Sequence, residues 1–446
     1  MGQRGKFLTQ IAGFRGFKVK DAHWENANGE PITAVAGYDV PADAILVLTM
    51  ARRWAARCGH CMAIVSGAPH ERGDARRWDD LPWAGHRTKL EYAPERLDCL
   101  RCGAHAIELL AWAEPKQRQT RRLQQHLALD AFSMPLSHVA TKYALSWHTI
   151  RRAEVNAITR WEQTRPVTML RMVGVDEKWL GRRHKLQHKF VTIVSNLENG
   201  EPLWIGHGRG AATLSQWLAT LTAEQKAAIT LFATDMHAPF AAAIRADPAL
   251  AHAPVVHDPF HVIKRAGEAV SELRRQIFFR ASDELREVGR GTRWLVLRAW
   301  KRTSDEDKQR LRKLFSLNGK LARAYQVVEE LREALKAPDK ESMEHGLRHV
   351  LYRTEKRTNK PMRKLHDSLR SHFDSIVALG EHHPPTGRIE ALNGNWETLV
   401  RRARGYRDHN YLLRKLRFTT ANPVRNARGV QRFLALGLPA PVQEAA

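Results

Sequence analysis

Cysteine is scarce in this chain: 446 residues contain four, and all four sit in two Cys-x-x-Cys pairs. That excludes a small disulfide-built scaffold and favours metal ligation in a reducing compartment. Long apolar runs are missing too. No stretch reaches the ~18 apolar residues of a membrane-crossing helix, and no apolar signal region follows Met1-Gly-Gln-Arg-Gly-Lys-Phe7. The expectation is a cytoplasmic protein with no membrane partner. Acids are the third shortage: 47 Asp plus Glu stand against 72 Lys plus Arg, a formal charge of +25 with pI near 10.3. An excess of that size points to a polyanionic partner, nucleic acid first. What is present argues for folding: 43% of residues are hydrophobic, and the length suggests roughly three domains.

Residues 1–50 hold the runs Ile32-Thr-Ala-Val35 and Ala44-Ile-Leu-Val-Leu48, which read as a small β-rich element without chemistry. Cys58-Gly-His-Cys61 and Cys99-Leu-Arg-Cys102 follow. Two such knuckles place four thiolates around one structural Zn2+, which supplies folding energy to a module (51–106) with little core of its own. His60, His70, His86 and His105 are nearby substitutes for a cysteine. Between the knuckles, Arg72, Arg76, Arg77, Trp78, Trp83, His86, Arg87 and Lys89 interleave bases with aromatics. That mixture suits phosphate contact, although the two Trp fit a small core at least as well. Over 107–165 the pattern turns helical, and residues 137–150 look like a helix-turn-helix. Ser137 caps its first helix, Val139 and Ala140 face inward, Ala144 holds the turn and Ser146 caps the second helix. Trp147, His148, Thr149, Arg151 and Arg152 then lie near the start of that second helix, where a recognition helix meets base edges of double-stranded DNA.

After Pro166 the period becomes that of strands. Met172-Val-Gly-Val-Asp176 is a short apolar run ending in an acid. A carboxylate in a buried strand is costly unless a metal, a cation or a reaction compensates it. Residues 189–195 and 202–205 read as two more strands, 213–221 as a helix, and 229–235 as a second apolar strand ending in an acid. A helix from about Ala238 and a short strand at 255–258 follow. Three strands, a helix, then alternating strand and helix is the order of a ribonuclease-H-like core.

Further motifs join these: Asp80-Leu-Pro-Trp83 between the cysteine pairs, Val175-Asp176-Glu177, Thr234-Asp235-Met236 and His257-Asp258-Pro-Phe-His261-Val-Ile-Lys264. The last is Gly387-Arg-Ile-Glu390-Ala-Leu-Asn393, running on to Arg401-Arg-Ala-Arg-Gly405-Tyr-Arg407. In this order, over nearly the whole chain, they resemble bacterial insertion-sequence transposases of the Asp-Asp-Glu class, ISL-three type. Departures are local: Ala391 stands where the family tends to have Gly, Asn395 and Glu397 where it tends to have Lys, and Thr386 where Asn is frequent. The resemblance implies that Asp176, Asp235 and Glu390 hold two Mg2+ ions, with Mn2+ a possible substitute. It further implies recognition of terminal inverted repeats, hydrolysis at the element's ends to leave a 3′-OH, and attack of that hydroxyl on target DNA. A homodimer or higher oligomer would carry this out.

At 100° per residue, Glu390, Asn393, Glu397, Arg401 and Arg404 share one helical face, and Leu392, Trp396, Leu399 and Ala403 the other. Asn393, Arg401, Arg404 and Arg407 are the DNA contacts expected from this segment. Asp258 and His261 are candidates for an auxiliary or structural role near the metals, and Glu177, on the opposite pleat from Asp176, reads as structural. The expected fold class is multidomain α+β. A zinc module and a helix-turn-helix domain precede an α/β ribonuclease-H-like core (166–269 and 381–420). A basic helical insertion (270–380) interrupts that core, with Trp294 and Trp300 in its interior, and a basic tail (421–446) ends the chain. Two other functions fit the same residues: a DNA-binding regulator descended from a transposase, and another ribonuclease-H-like nuclease such as a junction resolvase.

Overall fold

A computed structural model of the chain describes residues 3–32, 40–66, 69, 71–165, 169–180, 189–279, 282–355, 359–402 and 406–437; the side chains of residues 3, 4 and 390 fall outside it. The chain divides into two compact units, Met1–Pro166 with Asn422–Ala446, and Val167–Ala421.

The first unit opens with α1 (Gln3–Ala12), β1 (Phe17–Glu25) and β2 (Ile45–Arg52). Short strands β3 (Ala56–Arg57), β4 (Ile64–Val65) and β5 (Glu71–Arg72) lead to the hairpin β6 (Arg76–Trp83) and β7 (His86–Tyr92), then β8 (Glu95–Asp98) and β9 (His105–Ile107). β1, β2, β7 and β6 form one sheet in that order, with β2 and β7 parallel. The boundary expected at residue 50 therefore falls inside β2, because this strand joins β1 to the hairpin of the cysteine-bearing segment. Ile45-Leu-Val-Leu is buried throughout, as befits a central strand covered on both faces. Trp112 anchors the core, with Phe17, Tyr92 and Trp78 edge-on to its ring. Of the run at 32–35, only Ile32 lies within the described residues.

Asp80 explains part of the Asp-Leu-Pro-Trp motif. Its buried carboxylate accepts from Thr120 Oγ1 at 2.7 Å and Arg122 Nε at 2.8 Å, tying the sheet to α2 (Arg121–Ser133). Next come α3 (Leu136–Tyr143) and α4 (Trp147–Gln163), which pack Leu123, Leu127, Val139 and Ile150 into a common core with Leu81 against it. Ser146 caps α4 by accepting from Thr149 N at 3.1 Å, and Ala144 takes a left-handed φ of 50° to make the turn. Ser137 does not cap α3. Pro135 is the cap residue and Ser137 lies inside the first turn, because the fixed φ of a proline already presets the helix entry.

The second unit is built on a five-stranded sheet. Its strands are β10 (Met172–Trp179), β11 (Phe190–Asn196), β12 (Glu201–His207), β13 (Leu231–Thr234) and β14 (Val255–His257), ordered β12-β11-β10-β13-β14. β10 to β12 are antiparallel neighbours, whereas β13 and β14 run parallel to β10. The parallel crossovers are supplied by α5 (Ala211–Leu218) with α6 (Ala223–Ala228), and by α7 (Ala238–Arg245). Alternate strand residues face opposite ways. Val173, Val175 and Phe232 pack with α5 and α7 on one side, while Leu231, Ala233 and Val256 face α8 (Pro259–Phe279) on the other.

A helical block follows: α9 (Asp283–Gly289), α10 (Asp305–Leu317), α11 (Gly319–Ala334), α12 (Lys340–Glu355), α13 (Lys360–Ser371), α14 (Phe373–Val377) and α15 (Leu379–His382). Its apolar faces join the α8 side of the sheet in one core. Trp300 packs against that core, but Trp294 is exposed, contrary to the expectation that both are interior. Arg293 lies over the Trp294 ring, so the indole has a cation against its face on the surface. The chain returns to the sheet with α16 (Gly387–Arg402) and α17 (His409–Ala421), which bury Trp396, Leu399, Leu412 and Leu416 on Leu180, Val191, Ile193 and Ile205. Residues 421–446, expected as a tail, include α18 (Ala427–Ala435), whose Phe433 is buried and whose backbone accepts from Gln125 of α2.

Candidate active site and metal centre

Strand register assembles the acidic site. Val175 pairs with Thr234 across β10 and β13, and Thr234 pairs with His257 across β13 and β14. One residue further along stand Asp176, inside β10, and Asp235 and Asp258, each just past the carboxyl end of its strand, β13 and β14. This is where open α/β sheets expose their crevices. Asp176 and Asp258 are buried. Asp176 Oδ1 accepts from the backbone N of Glu177 at 2.8 Å, and His261 Nε2 lies 3.8 Å from the same oxygen. Asp258 accepts from the backbone N of Phe260 at 3.0 Å at the head of α8. It thus has a helix-start role, and burial pushes its pKa up. Asp235 accepts from His237 N at 3.1 Å. Its carboxyl is pushed up to about 7, first by burial and then by the negative charges of Asp176 and Glu177. Carboxylates crowded in this way are short of positive charge, which is the condition a hard cation with oxygen ligands relieves.

α16 runs alongside β10 in step with it. Ile389 Cδ1 sits 3.1 Å from where a Cβ on Gly174 would be, Asn393 Nδ2 donates to Asp176 Oδ2 at 2.8 Å, and Lys178 Nζ donates to Glu397 Oε1 at 3.5 Å. Four helical residues rise about 6.0 Å and two strand residues about 6.6 Å, so the two elements keep pace over these three contacts. Arg388 Nη1 ties the first turn to Leu197 O at 2.9 Å. The backbone of Glu390 lies in this first turn, next to Ile389 and one turn before Asn393; its side chain lies outside the described residues. The helical-face reading holds for Leu392, Trp396 and Leu399, all buried. Arg401 pairs with Glu397 at 3.2 Å on the same helix, Arg407 is exposed, and Arg404 lies outside the described residues. Asn393, expected against DNA, is instead on Asp176.

A cavity of about 190 Å3 adjoins the acids, lined by Glu177, Asp235, His237, His261, Lys264 and Arg265 among others. Strand alternation turns Glu177 away from Asp176, yet it lines this cavity and adds its charge to Asp235. Alternation is a poor guide at a strand's end, where the backbone of β13 has already turned. Lys264 and Arg265 carry little signal in the sequence because α8 is amphipathic along its length. The motif His257 to Lys264 is the feature that points towards them.

The first unit holds the thiol cluster. All four Sγ atoms of Cys58, Cys61, Cys99 and Cys102 lie within 4.8 Å of one another, with Cys61 and Cys99 at 3.5 Å and Cys58 and Cys102 at 3.9 Å. A tetrahedral zinc with ~2.3 Å Zn–S bonds requires sulfurs about 3.8 Å apart, so the set fits. Cys58 Sγ accepts from His60 N at 3.3 Å, and the backbone amide of Cys102 helps lower the Cys99 thiol to about 7. None of the four histidines is needed as a substitute. The bases between the knuckles are largely committed within the unit: Arg72 to Glu95 at 2.8 Å, and Arg77 to Glu25 and Glu91 at 2.7 Å each. Trp78 is core. On α4, Trp147, His148 and Arg152 are exposed, Thr149 and Arg151 half-buried, and the Arg151 guanidinium lies over the Trp147 ring.

Together these describe a mixed α/β protein that joins a helix-turn-helix and a four-cysteine cluster to an acid-lined sheet edge. Residues 173–416 match the ISL3-type transposase family, and residues 108–156 match the helix-turn-helix domain of transposase family ISL3. The chain belongs to the ISL3 family of transposases. It is similar to the transposase for insertion sequence element IS1001 of Bordetella parapertussis, with 27% identity covering 92% of this chain and 97% of that protein. It is also similar to the transposase for IS1557 of Mycobacterium tuberculosis, with 26% identity covering 82% and 86%. Among the described residues, no helix is long and apolar enough to cross a membrane.

Proposed function

We propose that the chain binds the terminal inverted repeats of its insertion sequence, cleaves the element's ends, and joins the freed 3′-OH to target DNA at one site made by Asp176, Asp235 and Glu390. The observation that carries this reading is the β10–β13 register, which pairs Val175 with Thr234 and so sets Asp176 and Asp235, the next residues, side by side, with the helix that bears Glu390 running along β10. The strand order, with three antiparallel strands followed by two parallel ones, agrees with a ribonuclease-H-like core at 166–269 and 381–420 into which 270–380 is inserted. Two divalent cations, Mg2+ or Mn2+, would neutralise the scissile phosphate and activate the attacking oxygen.

The chain's own residues do the rest. Asp176 and Asp235 bring the negative charge that would hold the cations, and bound cations would offset the burial and like charge that raise the Asp235 pKa. Lys264 and Arg265 give the adjoining cavity a positive wall for phosphate oxygens. Trp147, His148, Thr149, Arg151 and Arg152 supply sequence readout in the major groove, and Arg401, Arg404 and Arg407 the backbone contacts. One Zn2+ on the four cysteines has a structural part only. An element has two ends and each site handles one, so the working complex contains at least two copies of the chain.

Asp176→Ala in a donor-plasmid assay tests the reading. The expected result is loss of excision and strand transfer by at least ~10^3-fold with end binding retained. Unchanged excision would leave a DNA-binding regulator as the better description, and cutting of branched DNA without terminal repeats would favour a resolvase.

A further inference from the structure

We propose that Asn393 is part of the cation site of this enzyme, its amide oxygen acting as an additional hard ligand beside Asp176 while its NH2 group positions the Asp176 carboxylate. The inference rests on the reading of Asp176 as a cation-holding acid.

The Asn393 amide is oriented by its hydrogen bond to Asp176. Nδ2 donates to Asp176 Oδ2 at 2.8 Å. An ionised carboxylate only accepts, so the opposite flip would set two oxygens against each other at that distance. The NH2 therefore faces Asp176, and Oδ1 must face elsewhere. That Oδ1 is buried and has no hydrogen-bond partner among the described residues. Burying an amide oxygen with no donor facing it forfeits its hydrogen bonds to water and is unfavourable. A group so placed is ordinarily explained by a water or ion.

The surroundings say which. Asp176 is buried against the same amide, with the carboxylate of Glu177 next to it in β10 and that of Asp235 one residue past Thr234, the β13 partner of Val175. A carbonyl oxygen is the type of neutral ligand that Mg2+ and Mn2+ accept beside carboxylates. It adds coordination without adding to the repulsion. Helix position supports the same role. Asn393 follows Glu390 by three residues, so both lie on one face of α16, and Trp396 and Leu399, packed on the sheet from their own face, hold the helix in place.

The test is Mn2+ binding by the full-length protein, read as free Mn2+ by electron paramagnetic resonance, with thermal melting as the fold control. The variants are Asp176→Asn, Asn393→Ala and Asn393→Asp. Asn393→Ala is expected to weaken the site about 10- to 100-fold. Asn393→Asp keeps an oxygen at that place but cannot donate to Asp176, so it is expected to bind within a few-fold of wild type and to gain more in Tm on Mn2+ addition. If Asn393→Asp binds as weakly as Asn393→Ala, the residue only positions Asp176 and the ligand role is overturned. Wild-type affinity in Asn393→Ala, with loss in Asp176→Asn, overturns this inference alone. Wild-type affinity in Asp176→Asn overturns the cation reading beneath it as well.

Discussion

At the scale of single residues, the site is defined by charge that the fold concentrates and leaves uncompensated. Asp235 is the clearest case, because its carboxyl titrates at about 7 in the fold against 3.8 as a free side chain. A raised pKa means that the folded state prefers the protonated acid. The stability linked to that proton is present below about pH 4 and is lost as pH rises through 7. Asparagine mimics the protonated form at every pH. In Mg2+- and Mn2+-free buffer, Asp235→Asn should therefore melt with the wild type near pH 4 and several degrees above it at pH 8. Each tenfold change in proton affinity is worth ~1.4 kcal/mol, and a domain of this size gains roughly 2–4 °C per kcal/mol. Adding Mg2+ at pH 8 should raise the wild type and not the variant. Equal melting temperatures at pH 8 without cation would show that the acid is not strained.

At the scale of elements, α16 and β10 act as a pair, and Gly174 sets how near they come. A Cβ there would lie 2.7 Å from Leu197 Cδ2, 2.8 Å from Ser195 Oγ and 3.1 Å from Ile389 Cδ1. Gly174→Ala must displace these groups, at about 1–3 kcal/mol for overpacking, and Ile389 carries the first turn of α16 with it. Excision should fall at least ~10-fold, since small misplacements of a reacting group have large effects. Ile389→Val removes the Cδ1 atom in the clash, so adding it to Gly174→Ala should recover part of the activity. No recovery would mean that the helix does not transmit the strain. The pair also shows how far sequence reading reaches. Apolar runs ending in Asp176 and Asp235 announce buried strands, and a 100° wheel separates Trp396 and Leu399 from Asn393. Neither states which strands pair in which register, or what the polar face of α16 meets. Asn393 therefore looks like a DNA contact in the sequence and lies on Asp176 in the fold, and Glu177 looks structural and lines the cavity. Ser137 misleads for a more local reason, since a nearby proline already has the cap position.

At the scale of the whole molecule, the two compact units divide the chemistry, with every cysteine in one and the acidic site in the other. The thiol cluster is coupled to the rest of its own unit through Glu108. Cys58 bridges to this residue in the backbone, and its buried carboxylate accepts from Tyr92 Oη at 2.8 Å and Glu95 N at 2.9 Å. Tyr92 in turn packs on Trp112 and Phe17 in the sheet core, and Asp80 links that sheet to the start of the helix-turn-helix. Losing the metal should therefore loosen the whole first unit, since four thiols held this close favour one another only around a cation. Structural zinc supplies about 10–16 kcal/mol in small zinc modules. Scanning calorimetry of the full chain should show two transitions. A zinc chelator, or Cys61→Ser, should lower one by ~10 °C or more and leave the other in place, with DNA-end binding lost in parallel. The Mg2+-dependent rise in melting temperature belongs to the second unit and should survive chelation of zinc. If both transitions move together, the units do not unfold independently; if neither moves, the cysteines do not hold a structural metal.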